Sequence, residues 1–175
     1  EAAPKAEFAL WIRVPGWAES AALRVNGEPA AAQPGHYAAI RRVWRSGDRV
    51  ELDLPMTPQL LEANPEVENA RNQIAVRRGP VVYCLESADL PAGVSVDEVR
   101  LPRGIRLAPR HDPALLGGVT VLEGQAFRAP NGTWVGRLYR PLSAAPPEPL
   151  SLTLIPYYAW CNRGQGEMRV WLQTM

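Results

Sequence analysis

Two pairs of carboxylates are the first candidates for catalysis in this sequence. Glu51 and Asp53 stand two apart in RVELDLP, and Glu66 and Glu68 two apart in a polar stretch. Residues two apart on a strand lie roughly 6.5 to 7 Å apart, compatible with the roughly 5 to 9.5 Å between carboxyl groups that cleave a glycosidic bond. Strand alternation explains Glu51 and Asp53 equally well as a water-facing side, the interpretation that we favour.

Nucleophilic or metal chemistry would have to use His36, His111, Cys84 or Cys161. Neither histidine lies in a Gly-x-Ser-x-Gly motif, and PRHDP around His111 is typical of a turn. Both cysteines lie in apolar runs, where a thiol usually acts as a small core hydrophobe. The spacing offers no convincing third and fourth zinc ligand. We therefore predict no catalytic, cofactor-binding or metal-binding residue in this chain.

An aromatic stretch near the end of the chain, IPYYAWCNRGQGEMRVW, offers a third kind of chemistry. Tyr158, Trp160 and Arg163 could stack against a sugar ring and hydrogen-bond it, which makes them the candidate carbohydrate contact. Aromatic rings beside a hairpin loop also pack with their polar tips in water, and we favour this packing role. The same two interpretations apply to four other tryptophans: Trp11, Trp17, Trp44 and Trp134.

Apolar and polar residues alternate with a period of two in most of the segments that carry these candidates, which predicts β-strands. FALWIRV alternates, Asn26-Gly27 predicts a tight hairpin, and Ser46 to Asp48 turns the chain into RVELDLP. From Met56 to Asn72 the pattern changes, and we predict a short helix or an ordered loop. Near the end, Leu150, Leu152 and Leu154 alternate, as do Met168, Val170 and Leu172, which predicts a closing hairpin.

Further candidate strands fill the second half of the chain: VSVDEVRL, GIRLAP, VTVLEG, TWVGRLYRPL, LSLTLIPYYAW and EMRVWL. Short strands with regular turn signals indicate an all-β fold of two small antiparallel β-sandwich (jelly-roll-like) domains. ADLPAG resembles a linker, so we predict domains at residues 1–89 and 90–175. Asn131-Gly132-Thr133 matches a glycosylation sequon but is first of all a turn signal.

Composition narrows the partners. The 175 residues are 46% hydrophobic and 21% charged, with a formal net charge of +1, which disfavours nucleic acid and membrane surfaces as partners. No stretch approaches the roughly 20 apolar residues that span a bilayer. The chain begins without Met and enters a strand almost at once, so we expect a soluble piece of a longer protein.

Several of these stretches, taken in order, carry a resemblance to a known family: LWIRVPGWA, LRVNG, GHYAAIRRVWRSGDRVELDLPM, VRRGPVVYCLE and LIPYYAWCNRGQGEMRVWL. Together they resemble the region after the catalytic barrel in family 127 glycoside hydrolases, the β-L-arabinofuranosidase-like enzymes. The resemblance covers nearly the whole chain. It implies two β-sandwich domains that support an (α/α)6 barrel, and a bacterial protein of the cytoplasm or periplasm.

The resemblance also implies where the reactive groups lie. In that family the zinc, its cysteine and glutamate ligands, the cysteine nucleophile and the acid/base glutamate belong to the barrel. None of them maps onto this sequence, and by position Cys84 and Cys161 are not the zinc cysteines. We expect the chain alone to be inactive, the parent to be a retaining glycoside hydrolase, and zinc to bind only in the barrel.

Three functions follow as hypotheses. We favour an accessory role, in which the partner is the barrel of the same parent chain or a second copy in a homodimer. The alternative is a carbohydrate-binding module that contacts a glycan through Tyr158, Trp160 and Arg163. The least favoured hypothesis is a self-sufficient enzyme that uses Glu51 and Asp53.

Overall fold

The computed structural model describes residues 6–130, 135–142 and 145–175. Its regular elements there are β-strands and single 3-10 turns, and the strands pair antiparallel, so the predicted all-β antiparallel fold class is confirmed. The chain separates into two compact units, Glu1–Thr57 and Pro58–Met175. No helix of the described residues is long and apolar enough to cross a membrane.

The first unit contains two small sheets. One pairs β1 (Glu7–Arg13) with β4 (Tyr37–Val43), and the other has the order β3 (Glu28–Ala30), β2 (Ala22–Val25), β5 (Val50–Asp53). Side chains of both sheets form one cluster, in which Val14, Leu23 and Ala38 are buried and Ile12, Ile40 and Leu52 pack around them. The two sheets therefore share a core as in a small sandwich.

The turns of the first unit follow the sequence signals. Asn26 and Gly27 have φ angles of 52° and 85° and join β2 to β3, which confirms the predicted hairpin. Gly47 has a φ of 90° in the turn before β5. There the carboxylate of Asp48 accepts hydrogen bonds from the Arg45 N–H and from the side chain of Asn26, both at 2.8 Å.

In the part that the structure describes, the second unit contains nine hydrogen-bonded strands. They are β6 (Pro58–Glu62), β7 (Gln73–Arg78), β8 (Val81–Glu86), β9 (Val99–Arg100), β10 (Ala108–Asp112), β11 (Val119–Arg128), β12 (Glu148–Pro156), β13 (Met168–Arg169) and β14 (Leu172–Gln173). The main order is β10-β11-β12-β8-β7-β14, with β13 on β8, β6 on β7 and β9 on β11. A thirteen-residue cluster of buried side chains, which includes Leu85, Leu122 and Leu154, forms its main core.

The boundary between the units differs from the predicted boundary at residues 89 and 90. The structure places it between Thr57 and Pro58. The reason lies in strands β7 and β8, which precede Asp89 but pair with β14 and β12 from the end of the chain. Sequence order suggested that these strands complete the first domain, whereas long-range pairing places them at the centre of the second.

Several predicted elements of the second unit also need correction. The stretch after Met56 was predicted as a short helix or loop, but Pro58–Glu62 is a strand paired with β7, and only Glu68–Ala70 forms a 3-10 turn. GIRLAP was predicted as a strand and PRHDP as a turn, whereas β10 begins at Ala108 and includes His111. VSVDEVRL contains a 3-10 turn at Val96–Glu98 and a two-residue strand.

Two further predictions concern the end of the chain. Leu150, Leu152 and Leu154 are buried as expected, but their strand β12 pairs with β11 and β8, while β13 pairs with β8 and β14 with β7. The predicted closing hairpin is therefore wrong. The strand predicted for TWVGRLYRPL is absent from its described part, 135–142. The Asn131-Gly132-Thr133 turn and Trp134 lie outside the described residues.

Candidate functional site

The candidate site is built by the stretch that follows β12. The strand ends at Pro156, Tyr157–Ala159 form a 3-10 turn, and the loop returns to the sheet at β13. Its glycines serve different needs: Gly164 has a φ of 103°, and a Cβ on Gly166 would lie 2.6 Å from Ser87 Oγ. The Gly-x-Gly sequence therefore lets the loop lie directly against the residue after β8.

Arg163 is the polar centre of this loop. Its Nε donates to Glu86 Oε2 at 2.9 Å, its Nη1 donates to Asp89 Oδ1 at 2.7 Å, and its Nη2 contacts both carboxylates. The three side chains are largely buried, with exposed fractions of 19% for Arg163, 7% for Glu86 and 12% for Asp89. We call these three residues the Arg163 cluster.

The charges of the Arg163 cluster stabilise each other. The hydrogen bonds that Arg163 donates to Asp89, and then those to Glu86, outweigh the effect of burial and raise the pKa of the Arg163 guanidinium. Glu86 is the only charged residue classed as buried among the described residues, and its Oε1 also accepts the Cys161 N–H at 2.9 Å. This guanidinium is thus engaged in internal ion pairs, and the contact to a glycan suggested for Arg163 stays a prediction.

The two other candidate carbohydrate contacts lie on the outside of the same loop. The ring of Tyr158 is 72% exposed and borders a shallow hollow with Leu116, Ala159 and Asn162. Trp160 is 39% exposed and stacks nearly parallel on Tyr157, with ring centroids 6.2 Å apart. One face of Trp160 is therefore used internally, and Tyr158 offers the most accessible ring of the candidate site.

The two cysteines occupy opposite environments. Cys84 on β8 is buried, and burial raises the pKa of its thiol to about 12, with Glu86 and Asp89 adding to the shift. Its thiol is protonated at neutral pH, in keeping with a core role. Cys161 was predicted to be a small packing residue as well, but it is exposed and has a φ of 66°. Its apolar neighbours in the sequence masked a turn position.

The remaining sequence candidates are dispersed. Glu51 and Asp53 are both exposed on β5, as expected for a water-facing side, and Glu51 lies 3.4 Å from Arg49. His36 belongs to the first unit, where its Nδ1 lies 3.1 Å from the Pro34 carbonyl oxygen, and His111 lies on β10 of the second. Across residues 6–130, 135–142 and 145–175, no group of three or more His, Cys, Asp or Glu could hold a metal ion.

A polar cleft, which the sequence analysis missed, lies where β6 and β7 meet the end of the chain. Its volume is about 260 Å³, and its lining includes Glu62, Arg71, Asn72, Arg103 and Thr174. Arg71 is partly occupied, since its Nε donates to the Pro65 carbonyl and its Nη2 lies 3.6 Å from Glu68. No sequence motif marks this cleft, because its residues come from three separate stretches.

Taken together, two all-β units whose largely buried Arg163 cluster is used for internal ion pairs have the character of an accessory β-sandwich region. Residues 58–173 match the C-terminal domain of glycoside hydrolase family 127, and residues 1–56 match the GH127 middle domain of β-L-arabinofuranosidase. The chain belongs to glycoside hydrolase family 127.

Similar proteins support this family assignment. A non-reducing end β-L-arabinofuranosidase of Bifidobacterium longum subsp. longum is 38% identical over 168 residues, which cover 91% of this chain and 25% of that protein. A solved glycoside hydrolase structure is 45% identical with a TM-score of 0.88, over 96% of this chain and 28% of that chain.

A second solved structure, a GH127 β-L-arabinofuranosidase from Geobacillus stearothermophilus T6, is 41% identical with a TM-score of 0.85. The match covers 97% of this chain and 27% of that one. This chain therefore spans about a quarter of the length of these relatives, and it corresponds to an accessory region of them.

Proposed function

We propose that this chain is the non-catalytic accessory part of a larger β-L-arabinofuranosidase-type glycoside hydrolase, in which it supports a separate (α/α)6 catalytic barrel. The observation that carries the proposal is the extent of the match: it covers the middle and C-terminal domains of the family and about a quarter of the relatives' length. Self-association of the parent through this region belongs to the same proposal, and sedimentation at several concentrations tests it.

The chemistry of the described side chains supports an accessory role. A glycosidase of the usual kind needs an acid and a second carboxylate facing each other across a substrate. Glu86 and Asp89 face each other, but they bind Arg163 between them. Glu51 and Asp53 are exposed on one side of β5, and the residues paired with them on β2 are Arg24 and Ala22, neither of which is acidic.

Comparison of the isolated chain with the full-length parent tests the proposal. We expect the parent to hydrolyse a chromogenic β-L-arabinofuranoside, and the isolated chain to show no turnover above buffer. Deletion of this region should lower the thermal midpoint of the remaining catalytic part. Turnover by the isolated chain that Glu51→Gln abolishes and Glu68→Gln preserves would contradict the accessory role.

A second candidate function, carbohydrate binding, is favoured by one observation, the 72% exposed ring of Tyr158 beside a hollow. Exposed aromatic rings provide flat faces for sugar rings. Titration of the chain with arabinosides, followed by the chemical shifts of the aromatic protons, tests it. A saturable response that Tyr158→Ala removes, and that Tyr37→Ala leaves intact, would establish a binding module; no response would contradict this second function.

A further inference from the structure

The connection between β11 and β12 presents an unusual surface. Its described residues 135–142, which we call the β11–β12 segment, read VGRLYRPL and form no strand or helix. Four large apolar side chains in it are almost entirely exposed: Val135 at 87%, Leu138 at 87%, Tyr139 at 88% and Leu142 at 98%. Every other large apolar side chain classed as exposed among the described residues is less accessible, with Tyr158 next at 72%.

Such exposure is not explained by the fold of the second unit. Single exposed apolar residues are normal on a protein surface, but a concentrated group of them marks an interaction site. The core clusters of the second unit are formed by other residues, and none of the four side chains belongs to them. The four side chains therefore form a candidate contact surface for a partner outside this chain.

The charge of the β11–β12 segment indicates the chemistry of that partner. The segment contains Arg137 and no acidic residue, and its other arginine, Arg140, already donates to the Pro130 carbonyl oxygen at 3.5 Å. Tyr and Arg are enriched at protein interfaces, and arginine pairs there with carboxylates. The complementary surface is apolar with carboxylates at its border.

The length of the relatives indicates where this partner lies. This chain covers 25% of the Bifidobacterium enzyme and 28% of the solved glycoside hydrolase. We propose that the β11–β12 segment docks on the remaining, catalytic part of the same parent protein, on an apolar surface bordered by carboxylates. This inference rests on the proposed accessory function and adds to it the element that makes the contact.

Hydrogen–deuterium exchange tests the proposal directly, with the isolated 175-residue chain and the full-length parent compared under the same conditions. We expect the amides of residues 135–142 to exchange about tenfold or more slowly in the parent, because docking suppresses local opening. In the isolated chain their exchange should be fast and independent of concentration.

A pair of double variants separates docking from folding. Leu138→Ser with Leu142→Ser should restore fast exchange of the segment in the parent, and should leave the unfolding midpoint of the isolated chain unchanged because both side chains are exposed there. The matched control, Val67→Ser with Met175→Ser, removes two other exposed apolar side chains of the same unit. It should leave the segment protected.

The outcomes are distinguishable. If residues 135–142 exchange equally fast in both proteins while other surfaces of the chain become protected, the segment is not the docking element and the accessory function stands. If no part of the chain gains protection in the parent, both proposals fail. Protection that grows with concentration in the isolated chain would instead identify a second copy as the occupant and overturn the proposal.

Discussion

The two units of this chain reach their folds with very different amounts of buried surface. Counted over the described residues of both units, the first unit has a core cluster of three buried residues, Val14, Leu23 and Ala38, surrounded by half-buried side chains. The second has a cluster of thirteen buried residues, a second of five, and the largely buried Arg163 cluster. A small core supplies less free energy of folding, so turn hydrogen bonds make up a larger share of the stability of the first unit.

Because the second unit has the larger buried core, we expect a cavity in that core to cause the largest loss of stability. Leu154 is 0% exposed in the thirteen-residue cluster, where neighbours on several strands limit collapse. Leu154→Ala should lower the free energy of unfolding of this unit by about 4 kcal/mol. Chemical denaturation followed by exchange resolved for each unit measures it. Leu142→Ala, at a 98% exposed site of the same unit, should change nothing, and an equal loss there would contradict the core assignment.

The second prediction removes a partner from the Arg163 cluster. Glu86→Ala leaves the guanidinium of Arg163 with Asp89 alone and deprives the Cys161 N–H of its acceptor. Because breaking a buried ion pair leaves a desolvated charge with fewer partners, we expect the free energy of unfolding of the second unit to fall by about 3 kcal/mol.

Glu68→Ala is the control for this variant. Glu68 lies 3.6 Å from Arg71 in a pair whose side chains are 79% and 60% exposed. Its removal should cost about 0.5 kcal/mol or less. Equal losses for the two variants, measured by urea denaturation, would show that the Arg163 cluster is not structural.

The third prediction concerns a cavity in the small core of the first unit. Leu23 is 2% exposed, but its cluster has few buried members that hold a cavity open. Leu23→Ala should cost the first unit about 2 kcal/mol, less than the same substitution at Leu154, since its surroundings can collapse. Exchange of amides in β2 and β5 reports it. A loss as large as that of Leu154→Ala would remove the distinction between the two cores.

The smallest expected change in stability concerns Asp48. The hydrogen bond from the Arg45 N–H, and then that from Asn26, holds the pKa of Asp48 below its ordinary value of 3.8. A lowered pKa means that the folded state favours the ionised form, so this contribution is present above pH 3.8 and is lost as the pH falls through the folded-state value.

Asp48→Asn tests this turn. It should destabilise the first unit slightly at neutral pH, and the difference from the unsubstituted protein should vanish in acid. Thermal unfolding at a series of pH values measures both. A pH-independent effect of Asp48→Asn would assign the role of Asp48 to its shape rather than to its charge.

The sequence was sufficient where structure is local. Asn26-Gly27 and Gly47 specify turns because glycine and asparagine tolerate positive φ. The alternation around Glu51 and Asp53 gave their water-facing side correctly. The all-β class followed from the same period of two.

The prediction failed where pairing is between distant parts of the chain. The strands β7 and β8 read as an ending of the first domain, because nothing local shows that β12 and β14 bind them. The predicted end hairpin failed for the same reason. At the candidate site the aromatic rings were located, but the Arg163 cluster was missed, since its acids lie more than 70 positions from Arg163.

The unequal exposure of the two thiols has a practical consequence. At mildly alkaline pH a maleimide should modify Cys161 and spare Cys84, whose pKa is about 12. One spin label or fluorophore could thus be attached to the natural sequence without mutagenesis, on the loop anchored by Glu86. In the proposed full-length parent, that label would provide a fixed point for distance measurements towards the part of the protein outside this chain.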